Sequence, residues 1–183
     1  MQLLIMLLQR IFLQSDLMKQ KLNPEICYII GLCDRRKDSI YISTIYDSAV
    51  DRFVKTLIDS FGIAPNKIII SKEGNETSAY TYNTRAAKFI KDVLSRRQEV
   101  FKYANDYSAN YFAGLFDSRG YISEKGFEFR SIDFADQMLL ENLNFHLKRH
   151  GSAQAVAEAG AFKAFIKNYS IRMKTAAATD AKA

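Results

Sequence analysis

Apolar and polar positions along this chain switch between two periods, and the switches recur in the same order twice. Ser39–Thr44 alternates with period two and predicts a strand, Ile40 and Ile42 opposing Ser39, Tyr41 and Ser43. Ala49–Phe61 then places Val50, Phe53, Val54, Leu57, Ile58 and Phe61 on one stripe, which predicts an amphipathic helix. Lys67–Glu73 and Thr77–Thr84 flank a Gly74–Asn75 turn and read as a hairpin, Ile68 and Ile70 opposing Lys67 and Ser71. Ala86–Arg97 returns to helical spacing. Further on, Tyr121–Lys125 and Phe127–Ile132 predict a hairpin around Gly126, Phe127 and Phe129 opposing Glu128 and Arg130. Phe134–His150 reads as one long helix, with Met138, Leu139, Leu140, Leu143, Phe145 and Leu147 apolar. A last hairpin is expected from Ala153–Glu158 and Ala161–Lys167, with Lys163 and Lys167 opposite Phe162 and Ile166.

Each series follows a copy of one short repeat. Ile26–Arg36 (ICYIIGLCDRR) and Ala109–Arg119 (ANYFAGLFDSR) share apolar–apolar–Gly–Leu–apolar–Asp–x–Arg, with Gly31 and Gly114 83 residues apart. The order in each half is helix, strand or strands, helix, hairpin, helix, an α+β pattern with antiparallel sheet. This divides the chain into an N-terminal apolar helix (1–22), two halves (23–100 and 101–172) and an Ala-rich tail (173–183). If two helices cross tightly, the missing side chains of Gly31 and Gly114 mark the contact.

Composition fits a globular domain: 48% hydrophobic and 25% charged residues, with only 2 Pro and 8 Gly. This excludes a disordered tail, a collagen-like repeat and a polytopic membrane protein. The net charge of +6 permits a polyanionic partner without requiring one. The opening MQLLIMLLQRIFL is shorter than a bilayer span and lacks a basic leader, so no membrane segment or secretory signal is expected. Leu3, Leu7, Leu8 and Ile11 fall at helical spacing instead. Cys27 and Cys33, with no further Cys, read as buried free thiols. His146 and His150, four apart in the expected helix, read as solvent-facing, and Ser95–Arg97 with Lys91 reads as a charge cluster at a helix C-terminus that complements the dipole.

Phe112–Gly120 (FAGLFDSRG) resembles the LAGLIDADG motif of homing endonucleases, and Ile29–Lys37 (IIGLCDRRK) resembles it less closely. The resemblance implies two pseudo-twofold-related αββαββα halves, the first one shortened by a missing hairpin, which form an antiparallel β saddle. In that family the motif helices cross at the centre of the saddle, and carboxylates at their ends hold divalent cations for phosphodiester hydrolysis. The acid is the eighth motif residue; here that residue is Arg36 in one copy and Arg119 in the other, while Asp34 and Asp117 match the sixth, structural position. At ~4 Å and an effective dielectric near 20, a carboxylate attracts a dication by about 8 kcal/mol and an Arg repels it by about 8 kcal/mol. Both copies change in the same sense, so nuclease activity is expected to be lost, with no metal and no cofactor.

The reading that follows is a non-catalytic nucleic-acid-binding protein derived from this family. RNA is favoured over DNA because the shortened saddle suits local shape and backbone contacts. A ribonucleoprotein component or an intron maturase would fit, in an organelle such as the mitochondrion, with protein partners docking on the N-terminal helix. Candidate contact residues are Arg35, Arg36, Lys37, Arg119, Tyr41, Lys67, Arg130, Lys163 and Lys167, from the motif ends and the polar strand faces. Two alternatives stand beside it: an active endonuclease with a shifted metal site built on Asp34, Asp117 and Glu124 or Glu128, and a protein scaffold whose saddle is covered by protein.

Overall fold

The structure, a computed structural model, describes residues 21–35, 39–124 and 126–180. The expected N-terminal helix lies outside the described residues but for its last two positions, and Arg36 and Lys37 also lie outside them.

The first half runs α1 (Pro24–Leu32), β1 (Asp34–Arg35), β2 (Ile40–Thr44), α2 (Asp47–Phe61), a 3₁₀ turn (Pro65–Lys67), β3 (Ile69–Glu73), β4 (Glu76–Thr81) and α3 (Thr84–Ser95). A short α4 (Arg97–Val100) leads into the second half. That half runs α5 (Asp106–Arg119), β5 (Gly120–Ser123), β6 (Gly126–Phe129), α6 (Phe134–Asn142), β7 (Leu147–His150), β8 (Ala153–Val156) and α7 (Ala159–Ile166), and α8 (Ile171–Asp180) follows. Each half is therefore αββαββα. The two four-stranded sheets have the same antiparallel topology, β1-β2-β4-β3 and β5-β6-β8-β7.

Local chemistry sets the ends of these elements. α1 starts at Asn23, whose side chain accepts from the Ile26 amide at 2.9 Å, with Pro24 in the first turn, where no amide is needed. α5 starts in a capping box between Asn105 and Ser108. α2 stops at Gly62, which takes the left-handed conformation at φ 63°. Residues Ile26–Leu32 of α1 and Ser108–Asp117 of α5 are buried without interruption, as expected of helices enclosed on all sides. Around them Phe116, Phe127, Phe129, Phe145 and Phe162 form a cluster of mostly edge-on ring pairs in the second half. Phe53, Leu57, Ile40, Ile42 and Ala79 fill the first half. Cys27 and Cys33 are buried free thiols.

Four expectations are corrected. The first half does not lack its hairpin: the described part of β1, Asp34–Arg35, pairs with β2 through Asp34↔Tyr41 and Arg35↔Ile40. The helix expected over Phe134–His150 ends at Asn142, because Leu143 caps it and Asn144 turns the chain at φ 64°. His150 then ends a strand, and the His146 imidazole pairs with Glu158 at 2.9 Å, so the two histidines share no helix face. The last hairpin is β7–β8, and Ala159–Ile166 is helical, burying Phe162 and Ile166 four residues apart. Finally, Lys67 sits in the 3₁₀ turn before β3, because Pro65 starts that turn.

Candidate nucleic-acid interface

The site is built around the contact of α1 with α5. A Cβ added to Gly31 would stand 2.0 Å from the Tyr111 carbonyl oxygen, and one added to Gly114 would stand 2.0 Å from that of Tyr28. These are backbone contacts, so the two helices touch main chain to main chain at both motif glycines. Polar groups lock the crossing. Arg52 of α2 stands 3.6 Å over the Tyr28 ring. It also donates to both Glu25 carboxylate oxygens, at 2.7 and 3.0 Å, to Asn110 of α5 at 2.8 Å and to the Tyr169 carbonyl at 2.7 Å.

The helices occupy one side of the sheets and leave the other side open. In the first sheet, Ile40, Ile42, Thr77, Ala79 and Thr81 are buried on the helix side. The registers Asp34↔Tyr41, Tyr41↔Tyr80 and Ile69↔Tyr80 put these four residues in one row on the opposite face. Ser43, Ser78 and Ser71 form the next row, and Glu73 pairs with Glu76 beyond it. In the second sheet, Phe127 and Phe129 face the helices, while Tyr121, Glu128, Ala155 and Lys148 line up on the open face. Tyr121 donates to Glu128 at 2.7 Å, which raises the phenol's pKa, and the Arg130 guanidinium lies 5.6 Å over the Tyr121 ring. Strand alternation therefore places Tyr41 and Arg130 on open faces, as expected.

The two motif ends are not alike. α5 continues through Asp117 and ends at Arg119, whereas α1 stops at Leu32, leaving Asp34 exposed in β1. Asp117 is 2% exposed. It accepts from the Tyr28 hydroxyl at 2.8 Å, the Ser170 hydroxyl at 2.5 Å, and the Ile171 and Arg172 amides at 2.7 and 3.1 Å. It thus holds the N-terminus of α8 against the crossing, while Arg172 reaches back to the Asp117 carbonyl at 3.0 Å. Burial raises the Asp117 pKa above its ordinary value, and the four donors counter this only in part. Arg119 is half-buried, and its carbonyl accepts from the Arg130 amide at 3.0 Å, so the end of α5 is tied to the residue that follows β6.

This donor set does not fit the hard dication that the fold's nucleases use. The eighth motif residue is Arg in each copy, the Asp117 oxygens are taken by four donors, and Glu128 is buried against the Tyr121 and Ser123 hydroxyls. Among the described residues, no three His, Cys, Asp or Glu come together as a metal site.

Other expected contact residues lie elsewhere. Lys163 and Lys167 are exposed on α7 and just past its end, on the far side of the second sheet from Tyr121, because Phe162 packs against Phe127 and Phe129. Lys67 is exposed beside β3 and not on a strand face. Arg35 belongs to β1, opposite Ile40. Sequence reasoning missed Tyr80 and Tyr82, although the alternation of Thr77–Thr84 already contains them, and Lys148, which was hidden in the overlong helix. No sequence signal marks Arg52 or Arg172, whose hydrogen-bond partners lie 27 to 117 and 55 residues away.

No protein-family model matches the chain. An uncharacterized protein of Methanocaldococcus jannaschii is 25% identical over 143 residues, 70% of this chain and 52% of the relative, so the chain spans about half that relative's length. Among solved structures, I-DmoI in complex with DNA and Mn superposes with a TM-score of 0.59 at 14% identity, covering 78% of this chain and 96% of that one. Mesophilic variants of the homing endonuclease I-DmoI give 0.59 at 14% identity, covering 79% and 96%. The fold is that of the LAGLIDADG homing endonucleases.

Proposed function

We propose that this chain binds nucleic acid across the open faces of its two sheets and does not cleave it. The observation that carries this is Arg119 at the end of α5, its carbonyl bonded to the Arg130 amide, at the eighth motif position, where the motif resemblance implies a metal-binding acid. A guanidinium there repels a dication and attracts a phosphate. The fold's likeness to I-DmoI, a homing endonuclease solved in complex with DNA, supports nucleic acid as the partner. RNA is the preferred target, in a ribonucleoprotein setting, because β2, β3 and β4 are only five or six residues long and suit local shape and backbone contacts better than a long duplex.

The test is a titration of labelled RNA and DNA at several salt concentrations, beside a cleavage assay with Mg²⁺ and with Mn²⁺. Salt-dependent binding without cleavage is expected. Metal-dependent cleavage lost in Asp34→Asn would establish the endonuclease reading instead. No binding to either polymer would leave the protein-scaffold reading.

A further inference from the structure

We propose that the open face of the first sheet is a stacking platform for unpaired bases, while the second sheet supplies the cations that meet the phosphates. This rests on the nucleic-acid reading above and names the class of target. The Tyr41 face of the first sheet presents Asp34, Tyr41, Ser43, Glu76, Ser78, Tyr80, Ile69, Ser71 and Glu73, so none of its described strand positions is Lys or Arg. A duplex laid across this face would set its phosphates against three carboxylates, and duplex affinity is carried chiefly by phosphate neutralisation.

The same face carries a run of rings. The Tyr41 and Tyr80 centroids are 6.4 Å apart, and those of Tyr80 and Tyr82 are 5.6 Å apart. The Tyr41 hydroxyl meets the Ser78 hydroxyl at 3.0 Å, two residues from its ladder partner Tyr80, so its ring lies along the sheet surface. Tyr82 is 73% exposed. Tyr41 and Tyr80 are half-buried behind it, and rings that lie on a sheet among small hydroxyl residues suit bases, whose π-faces stack whatever the sequence. Among the described residues, cations stand on the other sheet: Arg130 over Tyr121, with Lys148 in the same row as Tyr121, and Arg119, whose carbonyl accepts from the Arg130 amide. A strand crossing the saddle would therefore meet rings on one side and guanidinium and ammonium groups on the other.

The experiment compares short single strands of RNA and of DNA with the duplex of the same sequence, following tyrosine fluorescence and a label on the oligonucleotide. The expected result is single-strand binding about tenfold or more tighter than duplex binding, with tyrosine quenching. Tyr80→Leu and Tyr82→Leu should each weaken it about tenfold without changing the salt slope, and Tyr80→Phe should restore it. Tyr82 is exposed, so Tyr82→Leu leaves folding intact, and melting curves check the Tyr80 variants. Equal duplex binding, or tyrosine variants that bind like the parent while Arg119→Ala weakens binding, would overturn the platform and leave nucleic-acid binding standing. No binding to any oligonucleotide would overturn both.

Discussion

Gly31 and Gly114 are reciprocal: each has its missing Cβ directed at a carbonyl three residues before the other, Tyr111 for Gly31 and Tyr28 for Gly114. Leu115 and Leu32 follow the same symmetry, their amides lying 2.8 and 2.9 Å from the two Cβ positions. A methyl group at either glycine must push one helix backbone off the other, since no flexible side chain can move aside. Gly114→Ala is expected to cost about 1–3 kcal/mol, a fall of roughly 2–4 °C in Tm for each kcal/mol in a chain of this size. Gly31→Ala should match it, and the double variant should cost less than the sum, because both disturb one contact. Unchanged melting in either single variant would place the crossing elsewhere.

Asp117 gives a pH signature. The folded protein holds a proton on this buried carboxyl more tightly than the unfolded chain does. Its contribution is therefore complete below the ordinary value of 3.8 and is lost as pH rises through the raised folded value. Asp117→Asn removes that dependence and turns one acceptor into a donor facing four donors, costing about 1–3 kcal/mol. In urea unfolding from acid to neutral pH, the parent's advantage over Asp117→Asn should be largest below 3.8 and shrink above it. A gap that widens as pH rises would contradict the assignment.

Cys27 is fully buried in α1, and burial pushes its thiol up to about 12. Almost no thiolate forms near neutral pH, and reagent cannot reach the sulfur without opening the crossing. Alkylation of Cys27 in the native protein should proceed only as fast as the protein opens, and should accelerate steeply with denaturant. Rapid labelling without denaturant would mean that the two motif helices separate readily.

The sequence carried the parts of this fold that repeat. The copies around Gly31 and Gly114 marked the crossing and the doubling of the α+β order, though the β1–β2 hairpin was not read, and alternation gave β2, the β3–β4 hairpin and the open-face positions of Tyr41 and Arg130. Errors fell where local pattern and tertiary packing disagree. Apolar Leu143, Phe145 and Leu147 continue the α6 stripe in sequence, but Asn144 in the left-handed region breaks it and starts a strand. Ala161–Lys167 alternates as a strand would, yet Phe162 and Ile166 are equally a helical pair, and the ring cluster selects the helix. At the site, Arg at the eighth position of both motif copies was legible, whereas the use of Asp117 to cap α8 was not, because Ser170 and Ile171 are more than fifty residues away.

The cations at the motif end give the remaining prediction. Arg119 and Arg130 are joined by a backbone hydrogen bond just beyond the β5–β6 ladder, so they should contact neighbouring phosphates of one strand. Each neutralised phosphate contributes about −0.9 to the log–log salt slope for duplex DNA and about −0.7 for a single strand. Arg119→Ala should therefore flatten the slope by about 0.7 on single strands and weaken binding to all sequences alike. Arg130→Ala should act similarly and also uncover the Tyr121 ring. Arg119→Asp should weaken binding further through repulsion. It should not create Mg²⁺-dependent cleavage, because the first copy still has Arg36 at its matching position and Asp117 remains committed to α8. Lys163→Ala, on the far side of the second sheet, should leave the slope unchanged. An unchanged slope in Arg119→Ala with a reduced one in Lys163→Ala would move the binding surface from the saddle to the helical side of the molecule.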